Sequence, residues 1–181
     1  MMERKMFSVK NCLILISLIS WSLSSQALSF TGTEGWEVED LKSRPELSNF
    51  MGQAEMVISK KVADGESSFA SAFVYRIKLK NSAPLGDNAS AWREAIFGPS
   101  SKGMILIKPP QLAKRDSVWH YTVETQSDSV AGVQIYSAHF AVQKGDEIIL
   151  LTYQQTREHY SKYLKDVLGL FAKLQVDAQK D

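Results

Sequence analysis

The chain has 181 residues, 44% of them hydrophobic, with 21 Lys and Arg against 20 Asp and Glu and a formal net charge of +1 at pH 7. So balanced a charge leaves no electrostatic footprint for phosphate neutralisation, which excludes nucleic acid as a partner class. A single cysteine, Cys12, excludes a disulfide framework and a thiolate metal site.

Arg4, Lys5 and Lys10 open the chain, Cys12 to Trp21 form an apolar run broken only by Ser17 and Ser20, and Ser25-Gln26-Ala27 follows. Basic, then apolar, then small is the order of a secretory signal peptide, predicted over residues 1–27 with cleavage near Ala27. The run is shorter than the roughly 20 residues that cross a bilayer as a helix, and no second one follows. The mature chain, residues 28–181, is expected to be one domain without a transmembrane segment, periplasmic or secreted. Cleavage removes Cys12 and leaves 18 basic against 19 acidic residues, a pattern that favours a bacterial periplasmic protein.

Residues 28 to 53 read as an extended opening segment with one short strand around Trp36, followed by a strand from Ala54 to Lys61. After a turn at Asp64-Gly65, Ser68 to Lys80 is the longest alternating run. Phe69, Phe73, Tyr75, Ile77 and Leu79 share one face there, and Ser68, Arg76, Lys78 and Lys80 the other. Ala89 to Phe97 predicts a short helix ended by Gly98-Pro99, and Gly103 to Lys108 a brief strand stopped by Pro109-Pro110. Three strands follow, Ser117 to Thr125, Gly132 to Val142 and Glu147 to Tyr153, the last two joined by a tight turn at Lys144-Gly145-Asp146. Thr156 to Leu174 predicts an amphipathic helix with Tyr160, Tyr163, Leu164, Val167, Leu168, Phe171 and Leu174 along one stripe.

With Val142 set opposite Glu147, Tyr136, Ala138 and Phe140 share a face with Ile149, Leu151 and Tyr153, which the final helix covers. Trp119, Tyr121 and Val123 are placed on that same face, and Val118 and His120 on the opposite one. Ile148 to Leu151 is apolar on both sides, so both faces of the sheet are expected to be covered. The predicted class is α+β, a three-layer α/β/α sandwich with a largely antiparallel central sheet and a long C-terminal helix.

The strand Trp119-His120-Tyr121-Thr122-Val123, the strand Tyr136 to Val142, Gly145-Asp146, the run Ile148 to Tyr153 and a helix with Tyr160, Tyr163 and Leu164 carry a resemblance. In these residues the chain resembles the PsbP-like family, which also includes Mog-type and DcrB-type proteins, and Gly35-Trp36 matches that family's early Gly-Trp. The stretch from Leu41 to Phe50, with Pro45, departs from the family pattern. The resemblance implies the α/β/α fold and a non-enzymatic binding or accessory role, but no particular partner.

His120, His139 and Glu124 are the one candidate metal cluster, since two imidazoles and a carboxylate on one sheet face have the chemistry to hold a divalent ion. Ordinary histidine hydrogen bonding is the competing reading. No catalytic residue is identified: there is no Gly-x-Ser-x-Gly elbow, no phosphate-cradling glycine loop and no His-Glu-x-x-His helix, and no cofactor is expected. Trp92, Phe97, Pro109 and Pro110 are the candidate partner contacts, with Trp92 expected to be partly covered on its short helix. The expected function is that of an exported accessory protein that binds another periplasmic or envelope protein and catalyses nothing. The alternative is a carrier of a small apolar ligand or lipid, with a void between sheet and final helix behind Tyr136 and Tyr153.

Overall fold

Among the described residues, alternating apolar residues build seven strands: β1 (Glu37–Asp40), β2 (Met56–Lys60), β3 (Ala70–Lys78), β4 (Ile105–Arg115), β5 (Val118–Asp128), β6 (Gln134–Lys144) and β7 (Glu147–Thr156). Three helices accompany them, α1 (Pro45–Phe50), α2 (Ala89–Phe97) and α3 (Arg157–Gln179). The computed structural model describes residues 35–50, 52–60, 70–80, 83–98, 104–128 and 132–179. The predicted signal peptide, the turn at Asp64-Gly65, Phe69 and the loop from Pro99 to Gly103 lie outside the described residues.

The strands make one sheet in the order β1-β2-β3-β7-β6-β5-β4, with every neighbouring pair antiparallel. β6 and β7 meet at Lys144↔Glu147, with Gly145 at φ 58° in the turn, the position where a tight hairpin favours glycine. Val142 therefore faces Ile149 rather than Glu147, a slip of two residues that keeps every side chain on its expected face.

The β4–β5 hairpin turns through Asp116 and Ser117, both at positive φ. β4 also corrects the sequence reading, because it does not stop at Pro109-Pro110 but runs on to Arg115. It is an edge strand, and its register against β5 shifts between Leu106 and Lys108 and again between Lys108 and Gln111. Prolines are tolerated at such a place, since an edge strand with bulges does not need every N–H.

The opening segment is not simply extended. Asp40 accepts a hydrogen bond from the Lys42 amide at 2.8 Å and starts a 3₁₀ turn over Leu41–Ser43, which buries Leu41. Pro45 then begins α1, as its fixed φ and missing N–H allow at a first helical position. α2 spans the expected residues, with Asn88 accepting from the Ala91 amide at 3.1 Å.

α3 lies over β6, β7 and β3. Tyr160, Tyr163, Val167, Leu170 and Phe171 of the helix form one core with Met56, Ile58, Val74, Phe140, Leu151 and Tyr153 of the sheet. Leu168 was expected in that stripe but is 46% exposed, and Leu170 takes the buried place. The Tyr153 hydroxyl lies 3.3 and 3.2 Å from the carbonyl oxygens of His159 and Tyr160, to which it donates, tying β7 to the first turn of the helix. Trp92 belongs to a second core with Tyr121, Val123, Ala141, Ile148 and Leu150. Central strands thus bury both faces, and β3 packs Ala70, Ala72 and Val74 toward α3 while Tyr75 and Ile77 turn to the α2 side.

The faces of β5 are the reverse of those expected. His120 pairs with Val142, Thr122 with Phe140 and Glu124 with Ala138, so the even-numbered residues look toward α3. Trp119, Tyr121 and Val123 belong to the other core. A one-residue change of register moves a whole strand to the opposite face, and here both faces of β5 carry residues fit for burial.

Candidate functional site

That inversion separates the candidate metal ligands. His139 pairs with Val123 and lies on the α2 side, whereas His120 and Glu124 lie on the α3 side. Among the described residues no group of three or more His, Cys, Asp or Glu is placed to hold a metal ion. His139 sits between two threonines, its Nε2 3.0 Å from Thr125 Oγ1 and its Nδ1 3.1 Å from Thr152 Oγ1. Burial pushes its pKa down to about 4, and the edge of Phe97 meets its ring at 4.8 Å. It is a satisfied core histidine.

The partner contacts also divide. Trp92 is fully buried, stacked on Tyr121, and its Nε1 donates to the Gly86 carbonyl at 3.0 Å. This corrects the expectation of a partly covered ring: the indole bears on the core and is closed to a partner. Phe97 is half-buried, Pro109 is exposed and Pro110 half-buried, the last two within β4. Ahead of them Ile105, Leu106 and Ile107 are 61%, 39% and 38% exposed, three apolar side chains in a row on the outermost strand.

On the α3 side the helix leaves a groove along β4 and β5. One cavity of about 290 Å³ is lined by Gln111, Ala113, Arg115, His120, Thr122, Phe140, Leu168, Phe171 and Ala172. A second, of about 190 Å³, shares Gln111, Thr122, Phe140 and Leu168 with it and extends past Leu164 to Lys108, Pro109 and Glu124. The void expected behind Tyr136 and Tyr153 is not the open space, because both rings pack on Tyr160, with centroids 5.7 and 5.6 Å away. A larger hollow, about 550 Å³, borders only Ser43–Leu47 among the described residues, all of them exposed or half-buried.

The groove has two chemically distinct ends. At one, the Glu124 carboxylate accepts from Lys108 Nζ at 2.7 Å and from the Tyr160 hydroxyl at 3.0 Å, so its charge is already met. At the other, His120 is 5% exposed and lies against the edge of Phe171 at 6.4 Å, and neither ring nitrogen makes a hydrogen bond of good geometry, the Arg115 backbone offering only a weak one. A buried polar group left unpaired costs about 1–3 kcal/mol. Burial, and next the neighbouring Arg115, hold its pKa below the ordinary histidine value, which keeps the ring neutral.

No protein-family model matches the chain, and no curated protein matches it. Among solved structures it is similar to a Pseudomonas aeruginosa protein of unknown function, PA94, at 15% identity and a TM-score of 0.48, over 62% of this chain and 77% of that one. It is also similar to the solution structure of cyanobacterial PsbP (CyanoP) from Synechocystis sp. PCC 6803, at 13% identity and a TM-score of 0.46, over 81% and 82%. Likenesses at this level concern the course of the chain, and neither brings a function with it.

Sequence reasoning missed the groove. Its signals were present: Arg115 within a basic stretch, His120 in a strand and Leu168 on the helix stripe. What was lacking was the face of β5, which decides whether these residues meet.

Proposed function

We infer that the protein is an exported, non-enzymatic accessory protein that binds another envelope protein through the open edge of β4. Ile105-Leu106-Ile107 carries the reading, an exposed apolar run on a strand that, among the described residues, has a neighbour on one side only. An edge strand presents unpaired backbone groups, and an extended segment of a partner adds to such an edge by main-chain hydrogen bonds while its side chains meet apolar neighbours. Beyond Pro109-Pro110 the same strand carries Lys114 and Arg115 and no acidic residue. The partner segment is therefore extended, apolar at one end and acidic at the other. Export rests on the basic, apolar and small order of residues 1–27. A three-layer sandwich of PsbP-like type accords with α2 and α3 each joining a different core cluster of the sheet.

The test is site-specific photocrosslinking at Leu106, 39% exposed between the two substituted positions, in the native host, with fractionation of the envelope. The expected result is one crosslinked partner in the exported fraction, lost in Ile105→Lys/Ile107→Asp, whose stability stays within about 0.5 kcal/mol of the wild type as for exposed sites. The same crosslink in the double variant would refute the interface. A chain held in the cytoplasm with residues 1–27 attached would refute export.

A further inference from the structure

The groove beside α3 joins three features that its packing does not explain: a buried imidazole without a hydrogen bond of good geometry, an exposed guanidinium, and an apolar wall ending in an exposed leucine. We propose that it binds a small alkyl carboxylate, with the carboxylate between Arg115 and His120 and the aliphatic tail along Phe140, Leu164 and Leu168. The site is on the inner face of β4 and β5 and the protein interface is the outer edge of β4; Arg115 belongs to both, so Leu168 in the groove and Ile105 at the edge are the residues that report on them separately.

The polar end selects an anion. A neutral imidazole offers one N–H donor, and neither His120 nitrogen makes a hydrogen bond of good geometry, the Arg115 backbone being the one protein group that weakly favours its charged form through such a bond. Arg115 also lines the cavity, and among the described residues it makes no ion pair. Its guanidinium has the planar fork that matches a carboxylate. Asp116, next in the chain, opposes part of the positive field at His120 without cancelling the larger effect of Arg115. Gln111 and Thr122 complete the polar lining of this cavity.

The other end orients the ligand. Glu124 and Lys108 at that end are already paired with each other, and Tyr160 donates to Glu124, so that end offers a carboxylate no free cation among the described residues, whereas the Arg115 end does. Between the ends, Phe140 and Leu168 line both cavities, which makes the apolar wall continuous. Volumes of about 290 and 190 Å³ are each below the usual range for drug-sized ligand sites, roughly 300–1,000 Å³. That suits a single medium-length chain rather than a phospholipid. Both His120 nitrogens are shielded from solvent, so the side chains that line the cavity must part as the carboxylate enters.

The experiment is titration of the exported protein with octanoate, read by the side-chain NMR resonances of His120, with 1-octanol and octylammonium as comparison probes. Octanoate is expected to give a saturable shift at His120, and the alcohol and the cation to bind at least about tenfold more weakly, the loss that follows from one charge-assisted hydrogen bond. Arg115→Gln, at an exposed position, is expected to weaken octanoate by a similar factor. Leu168→Trp, also exposed and chosen to fill the groove without touching the core, is expected to abolish the shift. No saturable shift with octanoate would overturn the proposal, as would equal binding of octylammonium or binding unaltered in both variants.

Discussion

The Trp92 indole lies parallel to the Tyr121 ring, with centroids 5.7 Å apart and planes within 1°. This pair fastens α2 to β5, because Trp92 is the buried residue of a nine-residue helix and Tyr121 is fully covered by it and its neighbours. Trp92→Ala removes the stack, the bond to Gly86 and the largest apolar surface that α2 contributes. The expected cost is about 3–5 kcal/mol, read from urea unfolding. A cost below about 1 kcal/mol would mean that the helix is not anchored by this ring.

His139 sets a pH dependence whose sign follows from burial. Its pKa is about 4 in the folded protein and near the ordinary 6.5 when unfolded. At high pH the ring is neutral in both states and stability is full. As pH falls below 6.5 the unfolded state binds the proton first, and stability is lost until the folded pKa is reached. The expected difference between pH 7 and pH 4 is on the order of 3 kcal/mol from this residue. The measurement is unfolding against pH for the wild type and His139→Gln, since carboxylates common to both cancel in the comparison.

Tyr160 donates to Glu124 from the first turns of α3, across the sheet face to β5. Burial, and then the adjacent Glu124 charge, hold its phenol well above the usual tyrosine range. Tyr160→Phe keeps the ring stacked on Tyr153 but takes one donor from a carboxylate, at an expected cost of about 1–3 kcal/mol in thermal or urea unfolding. Ultraviolet titration of the wild type is expected to leave this phenol protonated through the range where ordinary tyrosines ionise.

Arg76 bridges two strands and a loop, its Nε 3.1 Å from Glu55 and its Nη1 2.6 Å from Glu147. The Arg76 side chain is 17% exposed and those of Glu55 and Glu147 are 20% and 33%. Arg76→Leu leaves two partly buried carboxylates facing an apolar side chain. The expected loss is about 1–3 kcal/mol, and Arg76→Leu/Glu147→Gln is expected to recover part of it. Additive losses in the double variant would show that the pair is not coupled.

The helix α2 was legible to the residue, because Asn88 and Gly98 mark its ends and these signals are local. α1 was hidden because a short helix started by Pro45 has too few apolar positions to show a period. β4 was misread at Pro109-Pro110 because proline stops an interior strand but not an edge strand with bulges, and only the sheet order reveals which strand is at the edge.

The groove was illegible for a related reason. β6 and β7 are joined by a two-residue turn, which ties their faces together; β5 and β6 are joined by a longer connection, which does not. Val118 and His120 on one side, and Trp119, Tyr121 and Val123 on the other, suit burial equally well in a sheet covered on both faces.

By itself the sequence determined the number and nature of the main elements after Ser68, the closing helix, the absence of a charge excess and the absence of known catalytic motifs, because each is written in local spacing and composition. Only the tertiary structure decided which side of β5 faces α3, and with it that Trp92 is core, that His120 and His139 are on opposite faces, and that His120 and Arg115 share a groove. A strand's alternation is symmetric between its two faces, and long-range pairing alone breaks that symmetry.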